Sequence, residues 1–467
     1  MNFEQKRNIG FLYVIEKIIP KSGFGKKMLK KIIPFIKKNE LLEELTNLMV
    51  FIEALRKEST IFNALNSILS HVKDIDGTFS RIGSDLTQTE LFEIKNFCNC
   101  SNQIFNELYN LDLNLTNLPF FNLSEPFRIL NKTNSDGFII SDEYSKNLAS
   151  IRQEKKIITK EMISQTGENY HLLKEKHLAL SAKEQEEEFF ICRKLSEELL
   201  TFKEQMQTCA ISIAKIDLLI QKAFLCVFED CILPIISETS FEIINATNPS
   251  VADNLRKNNQ TFTPITLSVK GATVITGANM GGKTVALKTI ALNTYLALCG
   301  MPVFAEKFIL PFLSFVEIVS EDLQSSERGL SSFGGEVIKI NQLYQQAKRS
   351  TGLLLIDEFA GGTNAQEGAK IFSALLRALK QTPSFSILTT HFDDVCDHAN
   401  LRYQIIGLSE KSKEILRNTL NVNQDNISQH MNYGLIPMDN HSEIPKNAID
   451  VCILLGLNEE IISLIEK

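Results

Sequence analysis

One short stretch constrains the fold of this 467-residue chain more than any other. It reads "VITGANMGGKTVALK" and runs from Val274 to Lys288. The β-branched start predicts a strand, the glycine-rich middle a tight loop and the apolar end a helix. Within the stretch, residues 277–284 fit the pattern G-x-x-x-x-G-K-[ST], whose backbone N–H groups cradle phosphates. The stretch therefore predicts a strand–loop–helix phosphate site in an α/β domain.

Each residue type in this pattern has a chemical reason. Lys283 reaches the β- and γ-phosphates of a nucleotide, and the Thr284 hydroxyl ligates Mg²⁺. Gly277, Gly281 and Gly282 let the backbone approach the phosphate oxygens. An ordinary glycine-rich turn is the alternative, but the flanking strand and helix favour phosphate binding. Because that helix is apolar nearly all round, we expect it to be buried.

Two further apolar runs end in residues that suit ATP hydrolysis. In "LLLIDEFAGG", Asp357 is predicted to bind Mg²⁺, directly or through water, and Glu358 to orient or deprotonate the attacking water. In "SILTTHFDDV", His391 is predicted to sense the γ-phosphate or to hold the water. Surface acids and a structural histidine are the alternatives. The predicted catalytic residues are therefore Lys283, Glu358 and His391.

The pattern of apolar and polar residues changes near Phe241. Beyond it, short β-branched runs alternate with helical segments, which predicts a P-loop ATPase domain with a mainly parallel sheet flanked by helices. Before it, helical periodicity predicts an all-α region of core and lever helices. The predicted division is a helical core-like region, long lever-type helices, the ATPase domain and a C-terminal helical segment, at 1–140, 141–240, 241–430 and 431–467.

Charge and cysteine content narrow the classes of protein. Residues 1–40 carry ten Lys or Arg against three Glu, whereas the whole chain has a formal charge of −7. This imbalance predicts a basic N-terminal arm on an acidic body, which we expect to be removable without loss of ATPase activity. The nine cysteines are scattered, which favours free thiols in a reducing compartment. Because no apolar run is long enough to span a membrane, we expect a cytoplasmic protein without a membrane partner.

Taken together, these motifs resemble those of the MutS family, whose ATPase domain is of the ABC type. The resemblance covers residues 241–467. "TGANMGGKT" is similar to the family's T-G-P-N-M-G-G-K-S/T, "IDEFAGGTNAQEG" to its D-E-x-G-x-G-T-x-x-x-E-G, "TTHF" to its T-T-H-Y and "GLSSFGGEV" to its S-T-F-x-x-E signature segment. The sequence departs from the family at Ala278, which replaces a proline, and at Asn248-Pro249, where the family usually has His-Pro.

The resemblance implies an ATPase that uses ATP and Mg²⁺ at two composite sites of a head-to-head dimer. The dimer is a homodimer or a heterodimer with a related subunit, joined through the C-terminal helical segment. Each nucleotide on one subunit's P-loop is then expected to meet Ser331 and Ser332 of the other subunit. Phe262 is expected to stack on adenine, and Asn279 to lie at the phosphates.

Two functions follow from the resemblance. The half before Phe241 resembles the family's core and lever helices only weakly, and no mismatch-reading module with its Phe-x-Glu wedge is found. The chain is most similar to short MutS-like subunits that accompany cobalamin-dependent lysine 5,6-aminomutase, which implies an ATP-driven reactivase that remodels an aminomutase client. The alternative is a DNA-binding MutS protein of mismatch repair or recombination that contacts DNA weakly through the basic arm. A metabolic kinase is disfavoured, because the Asp-Glu pair suits water attack better than transfer to a small acceptor.

Overall fold

A computed structural model describes residues 1–132, 140–277, 282–320, 332–360, 364–392, 396–418, 424–438 and 448–465. The helices of these residues are α1 (Phe3–Asn8), α2 (Phe11–Glu16), α3 (Gly23–Leu29), α4 (Lys38–Lys57), α5 (Asn63–His71), α6 (Asp76–Arg81), α7 (Gln88–Asn110), α8 (Ser124–Leu130), α9 (Lys146–Met162), α10 (Glu168–Leu199), α11 (Lys203–Phe228), α12 (Pro249–Lys257), α13 (Lys283–Leu298), α14 (Ser332–Arg349), α15 (Ala365–Lys380), α16 (Glu410–Arg417), α17 (Gln424–His430), α18 (Ala448–Leu454) and α19 (Glu459–Ile465). The strands are β1 (Ile235–Ser237), β2 (Glu242–Ala246), β3 (Ile265–Ser268), β4 (Ala272–Thr276), β5 (Lys307–Pro311), β6 (Val316–Val319), β7 (Leu353–Ile356), β8 (Phe385–Thr390), β9 (Leu401–Leu408) and β10 (Met431–Pro437).

The chain divides into two compact units. The first unit, here the α/β unit, holds residues 1–18, 33–49 and 224–467. The second, here the helical unit, holds residues 19–32 and 50–223. Strands occur only in the first unit among the described residues, which is consistent with a helical N-terminal region before an α/β domain. The strand β1 nevertheless begins at Ile235, before the change predicted at Phe241, and residues 1–18 and 33–49 belong to the α/β unit.

The helical unit contains a hairpin of α9 and α10. Ile151 and Ile158 of α9 pack with Leu180 of α10 in a small apolar cluster. Arg152 adds polar contacts, since its guanidinium donates to Glu184 at 2.7 Å and to Glu188 at 2.6 Å. The hairpin is short, because α9 has seventeen residues and so extends roughly 26 Å.

A six-stranded sheet forms the centre of the α/β unit. Its order is β10-β9-β4-β8-β7-β6, in which every neighbouring pair is parallel except β9 and β10. All the residues of β4 and β7 are buried, as expected of strands covered on both faces. The carboxyl ends of parallel strands meet at one edge, and the motif residues follow these ends.

A second sheet in the α/β unit has the order β1-β5-β2-β3 and is largely antiparallel. The sequence did not predict it as a separate sheet. Phe241 joins the two sheets, because its ring packs edge-on against Phe308 of β5 and Phe385 of β8. The Ser268 N–H also donates to the Tyr403 hydroxyl at 2.9 Å.

Helix α13 lies in the interior of the α/β unit. Thirteen of its sixteen residues are buried. This confirms the prediction from its nearly continuous apolar sequence, and it fixes the start of the helix, Lys283, against the sheet.

The first eighteen residues pack into the α/β unit instead of forming a separate arm. Phe11 and Val14 of α2 are buried. The Phe11 ring stands edge-on to Tyr295 of α13, with 4.8 Å between the ring centroids. Lys6 also contacts Tyr295, its ammonium 5.5 Å from the ring centroid. The prediction of a separable basic arm is therefore wrong for these residues, because apolar side chains between the lysines require burial.

Asn248 has a structural role in the same region. It is 1 % exposed, its amide donates to the Ile9 carbonyl at 3.0 Å, and its side-chain oxygen caps α12 by accepting from the Val251 N–H. The asparagine that departs from the family's His-Pro pair thus holds α12 to the N-terminal residues.

Two other expectations concern cysteines and membrane spans. Cys98 and Cys100 are buried and free, and burial raises the pKa of both thiols, so they stay protonated at neutral pH. In the described part of the chain, no helix combines the length and the apolar character that crossing a membrane requires.

Candidate functional site

The predicted site residues follow the carboxyl ends of three neighbouring strands. Gly277 follows β4, Asp357 follows β7 and His391 follows β8. The register of the parallel pairs, with Thr276 beside Thr390, brings these ends to the same level. The fold therefore places the three predicted motifs along one edge of the sheet.

Lys283 has its ammonium group inside this edge. Its side chain is 2 % exposed. The ammonium donates to the Gly277 carbonyl at 2.6 Å and lies 2.8 Å from a Glu358 carboxylate oxygen. A buried cation needs such partners because the loss of water otherwise penalises its charged form. The structure thus brings together Lys283, the predicted phosphate-binding residue, and Glu358, the predicted base.

Asp357 accepts a hydrogen bond on each carboxylate oxygen. The Thr284 hydroxyl donates to Oδ2 at 2.6 Å, and the Thr389 hydroxyl donates to Oδ1 at 2.5 Å. The Asp357 N–H donates in turn to the Val319 carbonyl of β6 at 2.8 Å. The predicted metal residues, Thr284 and Asp357, are therefore in direct contact.

Glu358 has an unusual backbone conformation. Its φ is 46°, in the left-handed region that non-glycine residues rarely adopt. Its N–H donates to the Thr389 hydroxyl oxygen at 3.0 Å, and this bond holds the turn after β7. The carboxylate is 30 % exposed, so it faces both Lys283 and solvent. This position suits a group that must reach an incoming water molecule.

Glycine is required at Gly282 for two reasons. Its φ is 84°, and a Cβ atom there would lie 2.9 Å from the Tyr433 ring. Gly277, with φ 147°, is similarly restricted by Ile405, which a Cβ would meet at 3.1 Å. The aromatic ring of β10 therefore packs directly against the start of α13.

Two predicted residues are placed apart from this cluster. His391 is exposed, and its ring lies 4.3 Å from the Phe392 ring, centroid to centroid. Phe262 is partly buried in the segment before β3. Among the described residues, no hydrogen bond, ion pair or ring contact joins either of them to Lys283. Their predicted roles stay predictions.

The remaining predicted residues fall outside what the structure describes. Asn279, Gly281 and Ser331 lie outside the described residues. Ser332 is the first residue of α14. The composite site across a dimer is thus a prediction.

The cluster fits Mg²⁺ and a nucleotide phosphate. A carboxylate and a hydroxyl are hard oxygen ligands, which Mg²⁺ prefers, and the ion usually takes one or two carboxylates and completes its shell with water and phosphate. No group of three or more His, Cys, Asp or Glu suited to a metal occurs in the described residues, so a site built wholly from such side chains is not present there. Asp357 and Thr284 would hold the ion, and Lys283 the phosphates.

Thr389 and Tyr433 were missed by the sequence reasoning. Thr389 is wholly buried, and its hydroxyl touches both Asp357 and Glu358. The available signal was its place at the start of the "TTHF" segment near the end of β8, but no spacing rule connects it with Asp357. Tyr433 gave no signal at all, because its contact with Gly282 depends on how β10 pairs with β9.

Comparison with known proteins shows what the α/β unit is similar to. Residues 273–453 match the family model for MutS domain V. The chain is 28 % identical over 295 residues to Endonuclease MutS2 of Streptococcus equi subsp. zooepidemicus (strain H70), a match that covers 62 % of this chain and 35 % of the relative. It is 30 % identical over 281 residues to Endonuclease MutS2 of Lactococcus lactis subsp. cremoris (strain MG1363), covering 58 % of this chain and 33 % of the relative. With Endonuclease MutS2 of Thermus thermophilus the identity is 33 % over 243 residues, covering 52 % and 32 %. Each match spans about a third of the relative's length.

Proposed function

We propose that this chain, which belongs to the MutS family through its domain V, binds Mg²⁺–ATP at the Lys283 site and hydrolyses it. The observation that carries this proposal is the contact network in which Lys283 meets Glu358 while Thr284 meets Asp357. These pairs combine a phosphate-binding cation, a metal-binding pair and a base at one edge of the sheet.

Each residue of this network has its own role in the proposed hydrolysis. Lys283 attracts the β- and γ-phosphates, and its present partner Glu358 is released when phosphate oxygens take its place. Glu358 then orients a water molecule and accepts its proton. Thr284 and Asp357 would hold Mg²⁺, which when bound would neutralise the charge that develops on the phosphates.

We further propose that the active form is a dimer with composite sites. Support comes from the signature-like segment, in which Ser331 and Ser332 are expected to complete the partner's site. The test mixes Lys283→Ala and Ser331→Ala proteins, each of which is expected to be inactive alone. Free subunit exchange should restore one competent site per heterodimer, about a quarter of the wild-type rate.

The control for this experiment mixes Lys283→Ala with the double variant Lys283→Ala/Ser331→Ala. That mixture has no competent site and should stay inactive. Failure of the first mixture to recover activity, while the wild type hydrolyses ATP, would remove the composite site from the proposal.

The ATP cycle is proposed to remodel a partner protein, with reactivation of a cobalamin-dependent aminomutase as the specific form. This form rests on the resemblance of the sequence. The test adds purified lysine 5,6-aminomutase or a DNA duplex to the ATPase. Stimulation of ATP turnover by the aminomutase alone supports remodelling, and stimulation by DNA alone favours the alternative.

Nucleic-acid binding is a second candidate, and one set of exposed cations favours it. Of the ten cations in residues 1–40, five are exposed and have no ion pair or ring contact among the described residues: Arg7, Lys21, Lys26, Lys30 and Lys31. The others contact acidic side chains or rings, as Lys17 does with Glu229 at 2.6 Å. Five phosphate contacts at most correspond to weak, salt-sensitive binding.

A further inference from the structure

We infer that Thr389 is a positioning residue that sets the orientation of Asp357 and Glu358 relative to each other, and thereby the Mg²⁺ dependence of the site. The inference rests on the proposed ATPase function and assigns a role to Thr389 of β8, the first residue of the "TTHF" segment.

The Thr389 hydroxyl takes part in two hydrogen bonds. A threonine hydroxyl has one proton to donate and lone pairs to accept. Thr389 gives its proton to Asp357 Oδ1 at 2.5 Å and accepts the N–H of Glu358 at 3.0 Å. Two adjacent residues that follow β7 are therefore tied to the same oxygen atom.

The two hydrogen bonds of Thr389 orient both acidic side chains. Because Oδ1 of Asp357 is held by Thr389, Oδ2 is the oxygen that faces Thr284, the other predicted ligand of Mg²⁺. Because the Glu358 N–H is held as well, the left-handed backbone at φ 46° keeps its side chain directed at Lys283. One hydroxyl thus fixes the metal-binding face of one acid and the direction of the other.

The Thr389 side chain is buried. Thr389 is 0 % exposed, so water does not replace its hydroxyl when the group is removed. The Glu358 N–H would lose its acceptor and the Asp357 carboxylate a charge-assisted donor, the stronger kind of hydrogen bond. The carboxylate would then keep the Thr284 hydroxyl on Oδ2 but lose the bond that fixes Oδ1, and the geometry of the metal site would be less well defined.

The experiment compares Thr389→Val, which keeps the shape but removes the hydroxyl, with Thr389→Ser, which keeps the hydroxyl but removes the methyl group. Two quantities are measured: the Mg²⁺ concentration that half-saturates binding of a fluorescent ATP analogue, and kcat with KM for ATP. Loss of a residue behind a metal ligand typically costs about 10- to 100-fold in metal affinity or activity. We expect losses of that size in Mg²⁺ affinity and kcat for Thr389→Val, KM within about 2-fold, and Thr389→Ser within about 3-fold of wild type.

The matched control is Thr273→Val. Thr273 is equally buried on the neighbouring strand β4, but its hydroxyl bonds only to the backbone of Lys270. It should leave Mg²⁺ affinity and kcat near the wild-type values. Should Thr389→Val not fold, as judged by circular dichroism, Thr389→Cys replaces it, because a thiol fills the space but is a weak donor.

The order of the variants separates positioning from packing. A packing role predicts that valine, which fills the site, performs better than serine, which leaves a cavity. That order, or a wild-type Mg²⁺ response in Thr389→Val, would overturn the inference while leaving the ATPase proposal intact. If the wild-type protein itself binds no nucleotide with Mg²⁺, the ATPase proposal fails and the inference falls with it.

Discussion

The ion pair between Lys283 and Glu358 makes a quantitative prediction for Glu358→Gln. The substitution keeps the size of the side chain and removes its charge, so the buried ammonium loses its charged partner and keeps the Gly277 carbonyl. Exposed ion pairs contribute about 0–1 kcal/mol, whereas breaking a fully buried pair costs about 3–5 kcal/mol. With Lys283 2 % and Glu358 30 % exposed, we expect an intermediate loss of about 1–3 kcal/mol in the free energy of unfolding without nucleotide.

The same substitution should strengthen ATP binding. In the wild type, phosphate oxygens must displace the Glu358 carboxylate from Lys283, and the neutral amide competes less. A difference of about 1.4 kcal/mol corresponds to tenfold in affinity, so roughly tenfold tighter binding is expected. Turnover should fall by about 10²–10⁴, because the base is lost. The Tm without nucleotide should fall by about 2–4 °C for each kcal/mol.

Glu242→Gln provides the matched control. Glu242 pairs with Lys307 at the same 2.8 Å, but the side chains are 38 % and 42 % exposed. Its removal should change Tm little and leave ATP binding unaltered. The assays are thermal unfolding with and without nucleotide, titration calorimetry with ATP, and phosphate release. If Glu358→Gln leaves Tm and ATP affinity unchanged, the reasoning from the buried pair is refuted. An equal loss of binding and turnover would show that Glu358 is structural.

Two other predictions concern the helical unit. Replacing Lys26, Lys30 and Lys31 by Gln should weaken any DNA binding. At about 0.9 per phosphate contact, the log–log salt slope of about −4.5 should become shallower by about 2.7. An unchanged slope in a salt titration with homoduplex and mismatched duplex would place the DNA contact elsewhere. For the α9–α10 hairpin, the pKa of Glu184 is lowered: burial opposes the shift, but hydrogen bonds from Lys155 and Arg152 outweigh it. The stabilisation by Glu184 is therefore present above the usual pKa of glutamate and lost as the pH falls through its lowered pKa. Arg152→Ala should cost about 2 kcal/mol at neutral pH and flatten this acid limb, as measured by urea unfolding at several pH values.

Local patterns in the sequence predicted the central elements of the α/β unit, but the prediction of a helical segment over 431–467 is wrong at its start, where Met431–Pro437 forms the strand β10 beside β9. The strand β7 is a continuous apolar run, β4 and β8 combine apolar residues with Ser and Thr, and α13 is apolar nearly all round, so burial of these elements could be predicted from composition. The contact between Thr284 and Asp357 also follows from the two motifs, because parallel strands bring their carboxyl ends together.

The bridging role of Thr389 could not be predicted in this way. Its hydroxyl meets Asp357 only because β7 and β8 pair with Ile356 beside Leu388, and register is a property of the assembled sheet. The pair of Lys283 with Glu358 likewise depends on a left-handed residue in the turn after β7, for which a glutamate gives no local signal.

The N-terminal residues show how a charge pattern misled the prediction and how the DNA question must now be tested. The excess of ten Lys or Arg over three Glu in residues 1–40 predicted a basic arm, but apolar residues of this segment, such as Phe11 and Val14, are buried in the α/β unit. Loss of a buried phenylalanine alone costs about 3–5 kcal/mol. Because Phe11 packs on Tyr295 of α13, the helix that begins at Lys283, deletion of residues 1–38 should destabilise the α/β unit itself. A loss of DNA binding in such a deletion would therefore not identify a DNA contact. Only neutralisation of the exposed lysines, with the Tm and ATPase rate unchanged, separates the charge of this segment from its place in the core.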